Sequence, residues 1–330
     1  MLAVGGCAGN ATKPTPPPPV ADPLRISCPA ALSVLSSDGQ SRTVRFGDAT
    51  TTGGTPPVQI SCQPASDSVF KIGTTEVRCT ASDAKQVTDS CPFTVTVIAP
   101  PRLRVTRFIA FGDSMTAGEI VSEGLATGFR IMRIDLPKSY PSDLLVSLAA
   151  RYTAQASDLV VLNSGKPGEL AVDGVSRLSG ALAGGSFQAL LLMEGANDFP
   201  ETSRPLAAIR QMVQTATSRG LRVFLATLPP ENPFATCQPN HGHNWAFVAP
   251  YNDGLRSIAA GQNAVLVDVY AAFNGDTTTL VDCDGLHPTA AGYQRIADTF
   301  FASIRQELEL PVTPSLTSQT VPFVVAPGRR

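Results

Sequence analysis

Three histidines occur in the 330 residues, and one of them has a carboxylate three positions before it, in Asp282-Cys283-Asp284-Gly285-Leu286-His287-Pro288. A turn at Gly285 brings the Asp284 carboxylate within reach of the His287 Nδ1–H. That contact fixes the tautomer and stabilises the imidazolium formed when the ring takes a proton. A base held in this way needs a nucleophile. Phe111-Gly112-Asp113-Ser114-Met115-Thr116-Ala117-Gly118 offers Ser114 beside a glycine that permits a sharp turn. Taken alone, Gly-Asp-Ser is an ordinary turn tripeptide and serine an ordinary helix N-cap. Two further segments carry uncharged donors. Leu162-Asn163-Ser164-Gly165-Lys166-Pro167-Gly168 ends in a glycine whose N–H can approach a ligand closely, and Glu194-Gly195-Ala196-Asn197-Asp198 offers the Asn197 amide. Each also reads as a plain loop or an Asx-turn.

The elements around these segments give them a common place. Short apolar runs at Phe108 to Phe111, Leu159 to Leu162, Ala189 to Met193, Val223 to Leu228 and Val265 to Val269 are separated by helix-length stretches. Runs apolar on both faces predict buried parallel strands covered by helices on each side. Leu206, Ile209, Met212, Val213 and Ala216 fall at helical spacing, with Gly220 as the stop; Tyr293, Ile296, Ala297, Phe300 and Ile304 share one face of a final helix. This is the pattern of an open, doubly wound α/β fold, whose ligand crevice lies beyond the carboxyl ends of the strands. Ser114, Gly168 and Asn197 each follow such an end.

The order and the residue types together resemble the SGNH (GDSL-type) hydrolases over about residues 104 to 308. The resemblance implies a flavodoxin-like three-layer sandwich with a five-stranded parallel sheet. It implies Ser114 as nucleophile, His287 as base, Asp284 as its orienter, and an oxyanion hole of the Ser114 N–H, Gly168 and Asn197. Met115 stands where the family carries leucine, a change of similar size and polarity. The implied chemistry is ester hydrolysis through an acyl-enzyme, without metal or organic cofactor.

The preceding segment, 22–99, is of another kind. Short alternating runs at Val44-Arg45-Phe46, Val58 to Ser61, Val77-Arg78-Cys79 and Phe93 to Val97 are divided by turns, and no helical period is visible. This predicts a small all-β sandwich. Cys62-Gln-Pro, Phe70-Lys-Ile-Gly-Thr-Thr-Glu-Val-Arg-Cys79-Thr-Ala-Ser-Asp83 and Cys91-Pro-Phe-Thr-Val-Thr-Val97 resemble a hyalin-repeat (HYR) domain, which is immunoglobulin-like and usually extracellular. Four cysteines allow three pairings. Because the outer strands of such sandwiches lie side by side, the expectation is Cys28–Cys91 and Cys62–Cys79. A third pair, Cys237–Cys283, would tether the 229–250 loop to the Asp284 turn. Disulfides imply an oxidising compartment.

Cys7 is the odd cysteine. Val4-Gly5-Gly6-Cys7, followed by a Pro-rich linker to residue 21, resembles a bacterial lipobox without the basic n-region of a full signal. It reads either as a truncated leader with a lipidated Cys7, which tethers the protein to a membrane surface, or as a disordered leader. The localisation expected is export: periplasmic, cell-surface or secreted, in a bacterium. Residues 102–310 form the expected hydrolase domain, and 311–330 a flexible tail.

Composition narrows the partners. A net charge of −2 with no Lys/Arg cluster excludes a nucleic-acid footprint, and no apolar run approaches a membrane span. His241-Gly242-His243 and Cys237 lack a nearby acid in the sequence to complete a metal set and read as a loop rimming the cleft. Trp245 and Phe247 either line an acyl or aromatic pocket there or simply pack. Glu119 to Lys138 reads as an apolar flap over the acyl site or as packing on a sheet edge. The function expected is hydrolysis of short to medium acyl esters. The alternatives are a carbohydrate O-acetyl esterase, with the β-domain contacting a polysaccharide or cell surface, and a non-catalytic adhesion protein.

Overall fold

The computed structural model describes residues 22–123, 130–237 and 241–311. Cys7, the Pro-rich linker and residues 312–330 of the expected tail lie outside the described residues. The chain divides into two compact units, the first holding residues 22–36 and 40–99 and the second 37–39 and 100–311.

The first unit is all β. Its strands are β1 (Arg25–Ser27), β2 (Leu32–Leu35), β3 (Arg42–Val44), β4 (Thr50–Thr52), β5 (Gln59–Gln63), β6 (Ser68–Phe70), β7 (Gly73–Ser82) and β8 (Thr88–Ile98). A four-stranded sheet runs in the order β2-β8-β7-β5, with β1-β4 and β3-β6 as separate pairs. Period-two alternation fixes the register. Val77, Cys79 and Ala81 of β7 and Phe93, Val95 and Val97 of β8 point inward, and Phe46 meets the Phe93 ring edge-on at 4.9 Å. The run expected at Val44 to Phe46 ends as a strand at Val44, yet Phe46 still packs into the core. The disulfides are Cys28–Cys91 and Cys62–Cys79. In a unit this small they supplement a short list of buried side chains.

The second unit is α/β. Its elements are β9 (Arg107–Gly112), α1 (Ser114–Ala117), a hairpin of β10 (Glu119–Glu123) and β11 (Arg130–Ile134), α2 (Tyr140–Arg151), β12 (Val160–Gly165), α3 (Ala171–Ala183), β13 (Ala189–Met193), α4 (Ser203–Ser218), β14 (Arg222–Ala226), α5 (Trp245–Gly261), β15 (Val265–Val267), α6 (Val269–Phe273) and α7 (Ala290–Leu308). The sheet is parallel throughout, in the order β12-β9-β13-β14-β15. Counted along the sheet's own strands this is 2-1-3-4-5, the flavodoxin-like order, and its direction reverses between β9 and β13. Helix α2 packs with α7, while α3 packs with α4 and α4 with α5. The stacked rings of Tyr140 and Phe300, 5.0 Å apart, lock the first of these pairs.

Local sequence explains the elements. Thr289 caps α7 by accepting from the Gly292 N–H at 3.1 Å, and Tyr293, Ile296, Ala297, Phe300, Ile304 and Leu308 then bury one stripe. Each large apolar side chain buried in this way stabilises by roughly 1.5–3 kcal/mol. All five residues of β13 are buried, as two-sided covering requires. Strand β12 departs from that expectation: Leu162 is 45% exposed. It is an edge strand with one neighbour, so its faces are incompletely covered. The Glu119 to Lys138 stretch is a hairpin followed by a 3-10 turn; Ile120 is buried while Ile131, Ile134 and Leu136 are exposed.

Candidate active site

The site is built on the carboxyl ends of β12, β9 and β13, at the point where the strand order reverses. Gly112 closes β9 against the Met193 carbonyl of β13, and a Cβ there would run into that oxygen. The next residue, Asp113, caps α1: its Oδ1 accepts from the Met115 N–H at 3.0 Å. The capping role open to a serine at this position therefore falls to its neighbour, and the Ser114 hydroxyl is left for another partner.

That partner is His287. Ser114 Oγ lies 2.9 Å from His287 Nε2, and His287 Nδ1 lies 2.6 Å from Asp284 Oδ2. A carboxylate only accepts, so Nδ1 carries the proton and Nε2 is the acceptor facing the serine O–H. Gly285 makes the turn between acid and histidine, with φ at 84°, and its N–H donates to Asp282 O at 3.0 Å. Asp284 Oδ1 also accepts from the backbone N–H groups of Leu286 and His287, at 3.2 and 3.1 Å. Burial pushes the Asp284 carboxyl up, but the His287 hydrogen bond and charge, with His241 behind them, outweigh it and hold it below its ordinary value.

Gly168, in the loop between β12 and α3, has φ at 71°, and Asn197 sits in the short turn after β13. Asn197 Nδ2 donates one hydrogen to Glu169 O at 3.0 Å, which leaves its second for a ligand. The Ala171 N–H donates to Asp198 Oδ2 at 2.9 Å and joins the same two loops again. Arg177 of α3 gathers the strand ends from below. It donates to Gly112 O at 3.2 Å and to Ser164 O at 2.8 Å, pairs with the buried Glu169 carboxylate through Nε and Nη2, and lies 3.8 Å over the Phe111 ring.

Sequence reasoning gave no role in the site to three of the residues found here, one of which, His241, it had placed in a loop rimming the cleft. His241 Nδ1 lies 3.1 Å from the same Asp284 Oδ2 that His287 uses. The acid absent from its sequence neighbourhood is supplied in space by Asp284. His241, Asp284 and His287 thus offer three metal-ligand atoms within 4.8 Å of one another. Their separations from Oδ2 are hydrogen-bond distances, with one oxygen accepting from both rings. The loop bearing His241 is zipped to the Asp284 turn by Asn232 N to Gly285 O (2.8 Å), Thr236 N to Cys283 O (2.8 Å) and His241 N to Asp284 O (2.7 Å), and by the Cys237–Cys283 disulfide. Glu119 Oε2 lies 3.5 Å from His287 Nε2. Arg177 is the third. Of the two aromatic residues weighed for a pocket, Phe247 stacks on Phe199 at 6.3 Å, and Trp245 is 55% exposed.

Besides Asp284 and Glu169, three further carboxyls near the site are buried. Burial pushes Asp113 up to about 6 and Glu231 up to about 7, and it raises Glu194 strongly, helped by the charges of Asp113 and Glu169. Asp113 Oδ2 and both Glu194 oxygens have no hydrogen-bond partner among the described residues.

Residues 110–295 match the GDSL-like Lipase/Acylhydrolase family, and residues 21–97 match the HYR domain. A comparison with curated proteins finds no match. Among solved structures the chain is similar to a lipase/acylhydrolase from Enterococcus faecalis, with 21% identity and a TM-score of 0.49 over 64% of this chain and 98% of that one. It is also similar to Est24, a carbohydrate acetylesterase from Sinorhizobium meliloti, at 17% identity and a TM-score of 0.49 over 61% and 99%. A third is Axe2, an acetylxylan esterase from Geobacillus stearothermophilus, at 22% identity and 0.46 over 60% and 94%. The family match spans more than half of the sequence, and the chain belongs to the GDSL-like lipase/acylhydrolase family, a carboxylic ester hydrolase carrying an HYR domain at its N-terminal side.

Proposed function

We propose that the protein is an exported serine esterase acting on short to medium acyl esters through Ser114, His287 and Asp284. The observation that carries this reading is the unbroken relay from Ser114 Oγ through His287 to the buried Asp284. In the first half-reaction His287 Nε2 takes the Ser114 proton while Oγ bonds to the ester carbonyl carbon. The Ser114 N–H, Gly168 N–H and Asn197 amide receive the oxyanion. Collapse breaks the bond to the alcohol oxygen, which takes the proton from His287. In the second half-reaction water gives a proton to His287, attacks the acyl-enzyme and releases the acid, and the proton returns to Ser114.

Export rests on the three disulfides and the match to an HYR domain. Among the described residues no helix is long and apolar enough to cross a membrane. A lipidated Cys7 would supply a tether without a span. The first test is Ser114→Ala. The variant is expected to lose hydrolysis of 4-nitrophenyl butyrate and labelling by a fluorophosphonate probe, with an unchanged circular-dichroism melt. Undiminished turnover in that variant would remove Ser114 as the nucleophile, whereas a native protein that no such probe labels would return the chain to the non-catalytic adhesion reading.

A further inference from the structure

Glu119 takes part in neither the Ser114–His287–Asp284 relay nor the oxyanion loops, yet its carboxylate stands beside the nitrogen on which the reaction turns. Its backbone is held on two sides. Gly118 closes α1 in a left-handed conformation, with its N–H returning to Ser114 O, so the chain leaves the nucleophile's turn directly into β10. There Glu119 pairs with Ile134, and its carbonyl accepts from the buried Tyr293 hydroxyl at 2.5 Å. The side chain is 17% exposed, and among the described residues the ionisable group beside it is His287, which is charged only when Nε2 holds a proton, with no Lys or Arg in reach. Oε2 is 3.5 Å from the same Nε2 that lies 2.9 Å from Ser114 Oγ.

Building on the esterase reading above, we propose that Glu119 is the specificity-determining residue for the alcohol half of the ester, selecting alcohols that carry a hydroxyl on the carbon next to the ester-bearing carbon, as in glycerol and sugars. Nε2 must deliver its proton to the leaving alcohol oxygen, so that oxygen comes to rest against Nε2, beside Glu119. A neighbouring hydroxyl on the same alcohol is then one carbon–carbon bond away from the carboxylate. A carboxylate only accepts hydrogen bonds, and a charge-assisted bond to a hydroxyl is about twice as strong as a neutral one. A plain alkyl alcohol would instead cover Glu119 and leave an oxygen unsatisfied, which costs its desolvation. An anionic alcohol would meet like charge. A quaternary ammonium satisfies the charge, but it is bulky and calls for an aromatic cage.

The test uses the full chain and three acetate esters: glycerol monoacetate, propyl acetate, which has the same carbon chain without hydroxyls, and acetylcholine. Glu119→Ala is expected to lower the ratio of kcat/KM for glycerol monoacetate over propyl acetate by about 10-fold or more, the loss of one charge-assisted bond. Glu119→Gln keeps an acceptor without the charge and is expected to fall between; being isosteric, it also guards against misfolding, which a melting curve checks. Taking the ratio divides out any change common to both esters. A ratio unchanged in both variants overturns the proposal, and so does a loss confined to acetylcholine. If the ratio is unchanged while fluorophosphonate still labels Ser114 and propyl acetate is still cleaved, Glu119 alone has been misassigned. If the native protein is neither labelled nor active on any of the three, the esterase reading has failed and the proposal falls with it.

Discussion

Asp113 and Ser114 are adjacent and divide two jobs between them. The aspartate satisfies the helix terminus and the serine keeps its hydroxyl for His287. The division has a cost, because Asp113 is fully buried with one oxygen unpartnered. Glu231 shows the same tension in a form that can be measured. Burial raises its carboxyl to about 7, the Asp284 charge adds to the rise, and the Asn244 N–H, donating at 2.9 Å, opposes it. A raised acid keeps its proton in the folded state through a pH range where the unfolded chain has released it. The cost to stability is therefore absent below the ordinary glutamate value, grows as pH rises toward 7 and is complete above it. A shift of this size corresponds to about 3 kcal/mol. Glu231→Gln keeps an acceptor for Asn244 and is expected to raise the melting temperature by several degrees at pH 8 while changing it little at pH 4.5. An equal change at both pH values would contradict the assignment.

At the scale of elements, α3 does more than cover the sheet. Its Arg177 reaches three separate pieces of the site: the end of β9 two residues before Ser114, the end of β12, and Glu169 next to Gly168. The planar fork of arginine makes these contacts at once, which a lysine point charge cannot. Arg177→Lys keeps the charge opposite Glu169 but loses the fork, so the Gly168 loop loses its fixed position relative to Ser114. We expect kcat for 4-nitrophenyl butyrate to fall about 10-fold, less than the 10²–10³ of removing an oxyanion donor outright. On the proposed mechanism KM is expected to change little, because oxyanion donors act on the transition state. A rise in KM with kcat intact would assign Arg177 to substrate binding instead. This role was hidden in the sequence. Arg177 lies 65 residues from the Gly112 carbonyl it holds, and a lone arginine on a helix has no signature. The contact of His241 was hidden for the same reason, its Asp284 partner being 43 residues away. The five strands of the parallel sheet were far more legible, since each is a short apolar run bounded by turn residues; the edge position of β12 escaped, as did the β10–β11 hairpin and the short strands β1, β2, β4 and β6, which carry no such run.

At the scale of the molecule, each unit has its own core: one of Val77, Phe93, Val95 and their neighbours, the other spread over both faces of the parallel sheet. Ser114, Gly168, Asn197, Asp284, His287, Glu119, His241 and Arg177 all belong to the second unit. The fragment 102–310 is therefore expected to hydrolyse 4-nitrophenyl butyrate with a kcat/KM within about 3-fold of the full chain, as independently folded domains do. A dead but folded fragment would mean that the β unit takes part in forming the site. If the two proteins differ only on a polymeric substrate such as acetylated xylan, the β unit contributes to binding the polymer.

The sequence by itself determined the alternation of strands and helices, the separate β segment, which serine, glycine and asparagine follow strand ends, and the pairing of Asp284 with His287. These follow from local rules: period, turn chemistry and spacing of three residues between Asp284 and His287. Only the tertiary structure decided the strand order 2-1-3-4-5, the two histidines sharing one Asp284 oxygen, the Arg177 fork under the strand ends, and the Glu119 carboxylate beside Nε2. Each of these depends on groups remote in the chain meeting in a buried space, where burial makes a hydrogen bond or an unpaired charge matter. No local pattern records such a meeting.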